Sequence, residues 1–211
     1  MSRAILAALP ATGVLLLAGA AQAKIPPTGI DLCGPTACVH LDWTAVTSFW
    51  TRGSSGPSTP APFYVARWQW GGQPEQKAYY VPDRRALRFF TPGDAFPTWS
   101  SLGDDELARL RQAVGIEAFP VPRLTRVTIG GRVARAPQTY VRLFQGKPVS
   151  SYPATPWLRV RLQSATPSPW TDSPTQIWLA RRGPFVEIDS WMYHLPRGVA
   201  ERARRGLSLS G

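Results

Sequence analysis

Two cysteines, two histidines, thirteen acids and twenty-one arginines are the side chains of this 211-residue chain that could carry chemistry. Their spacing narrows what that chemistry can be. Cys33 and Cys38 flank Gly34-Pro35-Thr36-Ala37, which is not the C-x-x-C spacing of a redox dithiol, so a disulfide pinning a hairpin is expected. Closing so small a loop contributes about 2 kcal/mol in the chain-entropy treatment. His40 and His194 belong to no H-E-x-x-H pair, and the chain holds no G-x-S-x-G and no paired Cys-x-x-Cys set. Asp104, Asp105 and Glu106 read as the negative first turn of a helix. No catalytic residue, no metal ligand and no cofactor is expected, and the chain reads as non-enzymatic.

Arginine is the abundant chemical resource, and it is unevenly placed. Residues 24–117 carry nine basic and nine acidic side chains, whereas residues 123–211 carry fourteen basic against Asp172, Glu187, Asp189 and Glu201. Guanidinium forks pair bidentately with phosphate and carboxylate, which makes Arg123, Arg126, Arg132, Arg135, Arg159, Arg161, Arg181 and Arg182 the candidate anion-binding residues. Nine tryptophans add stacking surface. Most fall on apolar faces of expected elements, while Trp170, in the Pro-rich loop 167–174, and Trp157, on one strand face with Arg159 and Arg161, are the candidate aromatic contacts.

The elements that must position these side chains recur. At a constant offset of 94, residues 30–70 lie over 124–164 without a gap: Val39 meets Val133, Pro62 meets Pro156, Phe63-Tyr64 meets Trp157-Leu158, Arg67 meets Arg161 and Gln69 meets Gln163. In this register Val127 and Arg132 stand at the places of Cys33 and Cys38. Each copy reads as a hairpin, a short helix, a Pro-rich loop, an amphipathic strand, a second hairpin and a last helix. The first helix runs from Asp42 through Trp43, Val46 and Trp50 to Gly53; its counterpart runs from Pro137 through Tyr140, Leu143 and Phe144 to Gly146. In the amphipathic strands, Tyr64, Ala66, Trp68 and Trp70 alternate with Phe63, Val65, Arg67 and Gln69, and Leu158, Val160 and Leu162 alternate with Trp157, Arg159, Arg161 and Gln163. One face packs and one meets water, the mark of an antiparallel sheet. Beyond residue 70 a shift of four more residues lays Tyr79–Leu87 over Ile177–Phe185, with Trp99 matched to Trp191 before the last helices, Asp104–Val114 and Gly198–Arg205.

The expected fold is therefore α+β, two tandem pseudo-symmetric repeats, each a small antiparallel sheet with helices packed on one face. Arg3, the apolar run 4–20 and Ala21-Gln22-Ala23 read as a secretory signal peptide over residues 1–23, followed by a first repeat at 24–120 and a strongly basic second repeat at 121–211. No later segment approaches a membrane span. The expected setting is the cell envelope or the exterior. The expected role is a binding module whose basic second repeat takes an anionic envelope polymer or surface. Nucleic acid is the least expected member of that set, because no recognition motif is present. A protein partner is the alternative, such as an extracellular enzyme inhibited by the module. In layout alone, a secreted tandem of helix and antiparallel sheet with a disulfide resembles the bacterial beta-lactamase inhibitor proteins, which present a concave aromatic sheet to their target; no residue carries over.

Overall fold

The computed structural model describes residues 27–42, 56–57, 59–70, 76–89, 97–104, 115–172 and 175–209. The signal peptide expected over residues 1–23, the helix expected from Asp42 to Gly53, nearly all of the helix expected over Asp104–Val114 and the side chains of Trp68 and Trp70 lie outside the described residues. Two antiparallel sheets form the fold. The first holds β1 (Pro27–Cys33), β2 (Cys38–Asp42), β3 (Tyr64–Trp70), β4 (Gln76–Val81), β5 (Ala86–Phe89) and β6 (Thr98–Ser101), in the order β2-β1-β3-β4-β5-β6. The second holds β7 (Leu124–Ile129), β8 (Arg132–Val133), β9 (Lys147–Pro148), β10 (Trp157–Ser164), β11 (Ile177–Ala180), β12 (Phe185–Ile188) and β13 (Trp191–His194), in the order β8-β7-β10-β11-β12-β13-β9. Apart from β9, which pairs with β13 at the far edge, the two orders coincide strand for strand.

Register corrects the constant offset. Leu32 pairs with Ala66 as Ile129 pairs with Val160, so with β3 and β10 laid at 94, Leu32 falls on Ile129 rather than on Arg126. The first hairpin closes at Cys33 opposite Cys38 around four residues, and the two cysteines are disulfide-bonded. The second closes at Ile129 opposite Arg132 around Gly130 and Gly131 alone, whose positive φ values of 54° and 88° suit the two-residue turn that matches strand twist. Gly130 and Gly131, not Val127 and Arg132, therefore stand where the cysteines stand. The Gly130 N–H bonds to the Arg159 carbonyl at 3.0 Å, just as Cys33 lies against Val65 in the first sheet. Further along, Tyr64 pairs with Tyr80 and Leu158 with Leu179, so the shift is five residues rather than four. Trp99 then corresponds to Met192, and Trp191 falls one place away. A single residue matters here, because it exchanges the two faces of a strand.

The short helix expected after the second hairpin is a 3-10 helix over Pro137–Gln145, and it buries the expected Tyr140, Leu143 and Phe144. Three residues per turn line up Tyr140 and Leu143 on one ridge, and the Tyr140 hydroxyl caps the arrangement by donating to the Leu207 carbonyl at 2.9 Å. With the helix Val199–Arg204 it covers the inner face of the second sheet, where Val127, Ile129, Val160, Leu162, Ile177, Leu179, Val186 and Ile188 are buried.

The first sheet departs from the expectation of one packed face. Ile30, Leu32, Tyr64, Ala66, Ala78, Tyr80 and Leu87 pack on one side with Leu102, Ile116 and Ala118. Phe63, Tyr79, Val81, Ala86 and Trp99 are buried on the other, in the same core as the second half of the chain. The second sheet keeps the simpler pattern. Val160 and Leu162 point inward while Arg159, Arg161 and Gln163 are exposed.

Candidate functional site

The outer face of the second sheet gathers the chemistry. Its backbone alternation is fixed by the buried Val160 and Leu162, which forces Trp157, Arg159, Arg161 and Gln163 of β10 to the opposite side. Register then sets their neighbours: Gln163 lies beside Arg126, Arg161 beside Thr128, and Arg159 beside Trp178, which lies beside Glu187. Arg126, Arg159 and Arg161 are all exposed, and among the described residues none is in an ion pair. The Arg159 guanidinium stands 5.9 Å from the centre of the Trp178 ring, a cation–π distance that holds it over the sheet. Trp157, Trp178 and Glu187 line a shallow pocket of about 260 Å³. Partial burial there pushes the Glu187 carboxyl above its ordinary range.

The corresponding row of the first sheet is filled. Val65, Tyr79, Arg88 and Trp99 lie across β3 to β6 as Arg159, Trp178, Glu187 and Met192 lie across β10 to β13. Over that first row sit residues 168–172 and Thr175 of the following loop. Trp170 is only 1% exposed and packs edge-on against Phe63 and tilted against Trp99, with ring centres 6.2 and 6.1 Å away. The Tyr79 hydroxyl donates to Asp172, Lys77 donates to the same carboxylate at 2.9 Å, and Arg88 donates to Thr175 Oγ1 at 2.7 Å. Asp189, reached by the Gln176 N–H at 2.8 Å and the Trp99 indole N–H at 3.4 Å, completes the group.

Burial drives most of the electrostatics in this polar cluster. Arg88 is lowered by it, with Asp189, Tyr79 and Asp172 pulling the other way, and Tyr79 is driven far up by burial and then by Asp172. Burial also acts to raise Asp172, but hydrogen bonds from Tyr79 and Lys77 and the charges of Lys77 and Arg88 outweigh it, so its carboxyl lies below the ordinary range. Asp189 goes the opposite way: burial dominates and raises it despite Gln176, Arg88 and Trp99. Sequence reasoning missed this cluster. The available signal was Arg88 between Leu87 and Phe89 in a strand whose other residues are apolar.

The structure divides the expected site residues. Arg126, Arg159, Arg161 and Trp157 share the outer face. Arg132 and Arg135 are exposed at and beyond the short hairpin, Arg123 precedes β7, and Arg181 and Arg182 sit in the exposed β11–β12 turn, tied through their backbone N–H groups to Pro156 and Thr155. Trp170 is a correction: it is core, not a surface anchor, because the first sheet offers it an aromatic wall. Trp178 and Glu187, which the sequence did not single out, take its place in the site. His40 Nδ1 lies 2.6 Å from Asp31, and His194 stacks edge-on against Phe185. Among the described residues no group of three or more His, Cys, Asp or Glu could hold a metal ion, and no helix is long and apolar enough to cross a membrane. Compared with known proteins, the chain matches no protein-family model, no curated protein and no solved structure.

Proposed function

We propose that the protein is an exported, envelope-associated binding module that takes an anionic polymer on the outer face of its second sheet. The observation that carries this reading is the set of three exposed arginines, Arg126, Arg159 and Arg161, held side by side on two paired strands without a carboxylate partner among the described residues. Some exposed cations elsewhere are matched, as Arg85 is by Asp104 and Arg205 by Glu201. Unmatched guanidiniums on a rigid sheet meet successive phosphates or carboxylates without reordering. In this reading residues 1–23 are removed on export, and the two sheets descend from a duplicated unit, 24–120 and 121–211, of which only the second became basic. The shared strand order supports that descent.

The test is co-sedimentation of the exported chain with envelope fractions of its producing cell across a salt series. Binding should fall steeply with salt, and a triple Arg126→Ala, Arg159→Ala, Arg161→Ala variant should bind at least about tenfold more weakly, about 1.4 kcal/mol, with a shallower salt slope. Retention of full binding by that variant refutes the role of this face.

A protein partner is the second reading, favoured by one observation: the corresponding face of the first sheet is occupied by polypeptide, the loop that carries Trp170 and Asp172. Salt-insensitive binding abolished by Trp178→Ala would support it over the polymer.

A further inference from the structure

We infer that the Trp157–Trp178–Glu187 pocket is a sugar-ring subsite, which makes the ligand of the outer face an acidic polysaccharide. This deepens the polymer reading and rests on it. The pocket's walls are two indoles, and its third lining residue is a carboxylate. Indole faces stack on the apolar face of a pyranose, and a carboxylate accepts from ring hydroxyls.

Position supplies the selectivity. Arg159, Trp178 and Glu187 are consecutive members of one cross-strand row, so the Cα positions of the arginine and the glutamate are separated by two strand spacings, about 10 Å. A ligand that satisfies both must offer neutral hydroxyl donors over Glu187 and an acidic group over Arg159. Uniformly charged chains do not: an inorganic polyphosphate or a run of anionic lipid headgroups would put an anion against Glu187, at a cost set by like-charge repulsion in a half-buried place. The first sheet shows the converse. There Arg88 stands at the position of Glu187, the covering loop brings Asp172 to it, and the β12–β13 turn brings Asp189. Replacing that cation by Glu187 removes the demand for an acid at the centre of the row, while Arg159, in place of Val65, moves the demand by two strand spacings, to the other side of the aromatic residue.

Titration of the full exported chain, followed by tryptophan fluorescence, separates the possibilities. The probes are an oligogalacturonate, a neutral oligosaccharide of the same length, inorganic polyphosphate and oligo-dT. The oligogalacturonate should bind best and perturb indole emission. Glu187→Gln, which keeps size and fold, should weaken that binding about fivefold to tenfold and strengthen polyphosphate, and Arg159→Gln should bring the acidic oligosaccharide down to the neutral one. If polyphosphate binds as well as the oligogalacturonate and Glu187→Gln changes neither, the subsite is refuted while the basic-face reading survives. Preference for oligo-dT with loss on Trp178→Phe refutes it in favour of a nucleobase. Failure of every polyanion at low salt overturns the basic-face reading itself.

Discussion

Arg88 shows how one side chain can define a junction. It is 2% exposed, its Nη2 bonds Thr175, and Asp172 and Asp189 supply the compensating charge. Removing one member of such a group strands the others in a place they cannot solvate. Arg88→Ala should therefore cost about 3–5 kcal/mol, read as a lowered urea midpoint with unchanged slope. Asp172 predicts a pH dependence whose sign follows from its lowered pKa. A carboxyl held below its unfolded value contributes stability that is present above the unfolded pKa, about 4, and is lost as pH falls through the folded one. Asp172→Asn should thus be less stable than wild type at pH 7, and the two melting curves should converge as pH falls below about 4. Asp189, raised instead, contributes with the opposite sign, favouring the fold most at low pH and less as pH rises through its shifted pKa.

Among the elements, the two hairpins solve one problem in two ways. The first holds its end with a disulfide around a four-residue loop, and the second uses two glycines with positive φ. Because the second folds without a bridge, the double variant Cys33→Ser, Cys38→Ser should keep the fold and lose only about 2 kcal/mol, measurable as a fall in melting temperature of several degrees. Gly146, at the end of the 3-10 helix, is less forgiving. A Cβ there would meet the Cβ of Tyr193 at 2.6 Å, where β9 comes in to pair with β13. Gly146→Ala should destabilise by about 1–3 kcal/mol and should free the Val149 amide next to β9, which bonds to the Met192 carbonyl, to exchange faster.

At the scale of the whole molecule, the halves are not independent. Phe63, Tyr79, Val81, Ala86 and Trp99 of the first sheet are buried in one core with Trp170, Leu179 and Tyr193 of the second half. The Tyr193 hydroxyl also reaches back to the Pro57 carbonyl at 3.0 Å. Each half expressed alone would expose this wall, so neither 24–120 nor 121–211 should give a dispersed amide spectrum by itself, whereas mixing or co-expression should restore one. Two well-dispersed, non-interacting halves would contradict the shared core. The outer face of the second sheet carries no corresponding load, so the arginine and Glu187 variants should leave the melting temperature nearly unchanged while altering binding.

From local signals alone the sequence determined the strand alternation of β10, the disulfide hairpin, the glycine turn, the apolar ridge of Tyr140, Leu143 and Phe144, and the basic character of the second half. All of these depend on residues close together in the chain, where period and turn chemistry act directly. Register was decided elsewhere. Two glycines in place of residues 33–38 shortened the second hairpin by four residues and moved it three places on one strand, and no local preference records how two strands slide until their faces are buried. Likewise the exchange of Trp170 for Trp178 in the site followed from which aromatic found a wall to pack on. Arg88, Asp172 and Asp189 lie 17 to 101 residues apart in the chain, and only the packing of one sheet on the loop of the other brings their charges together.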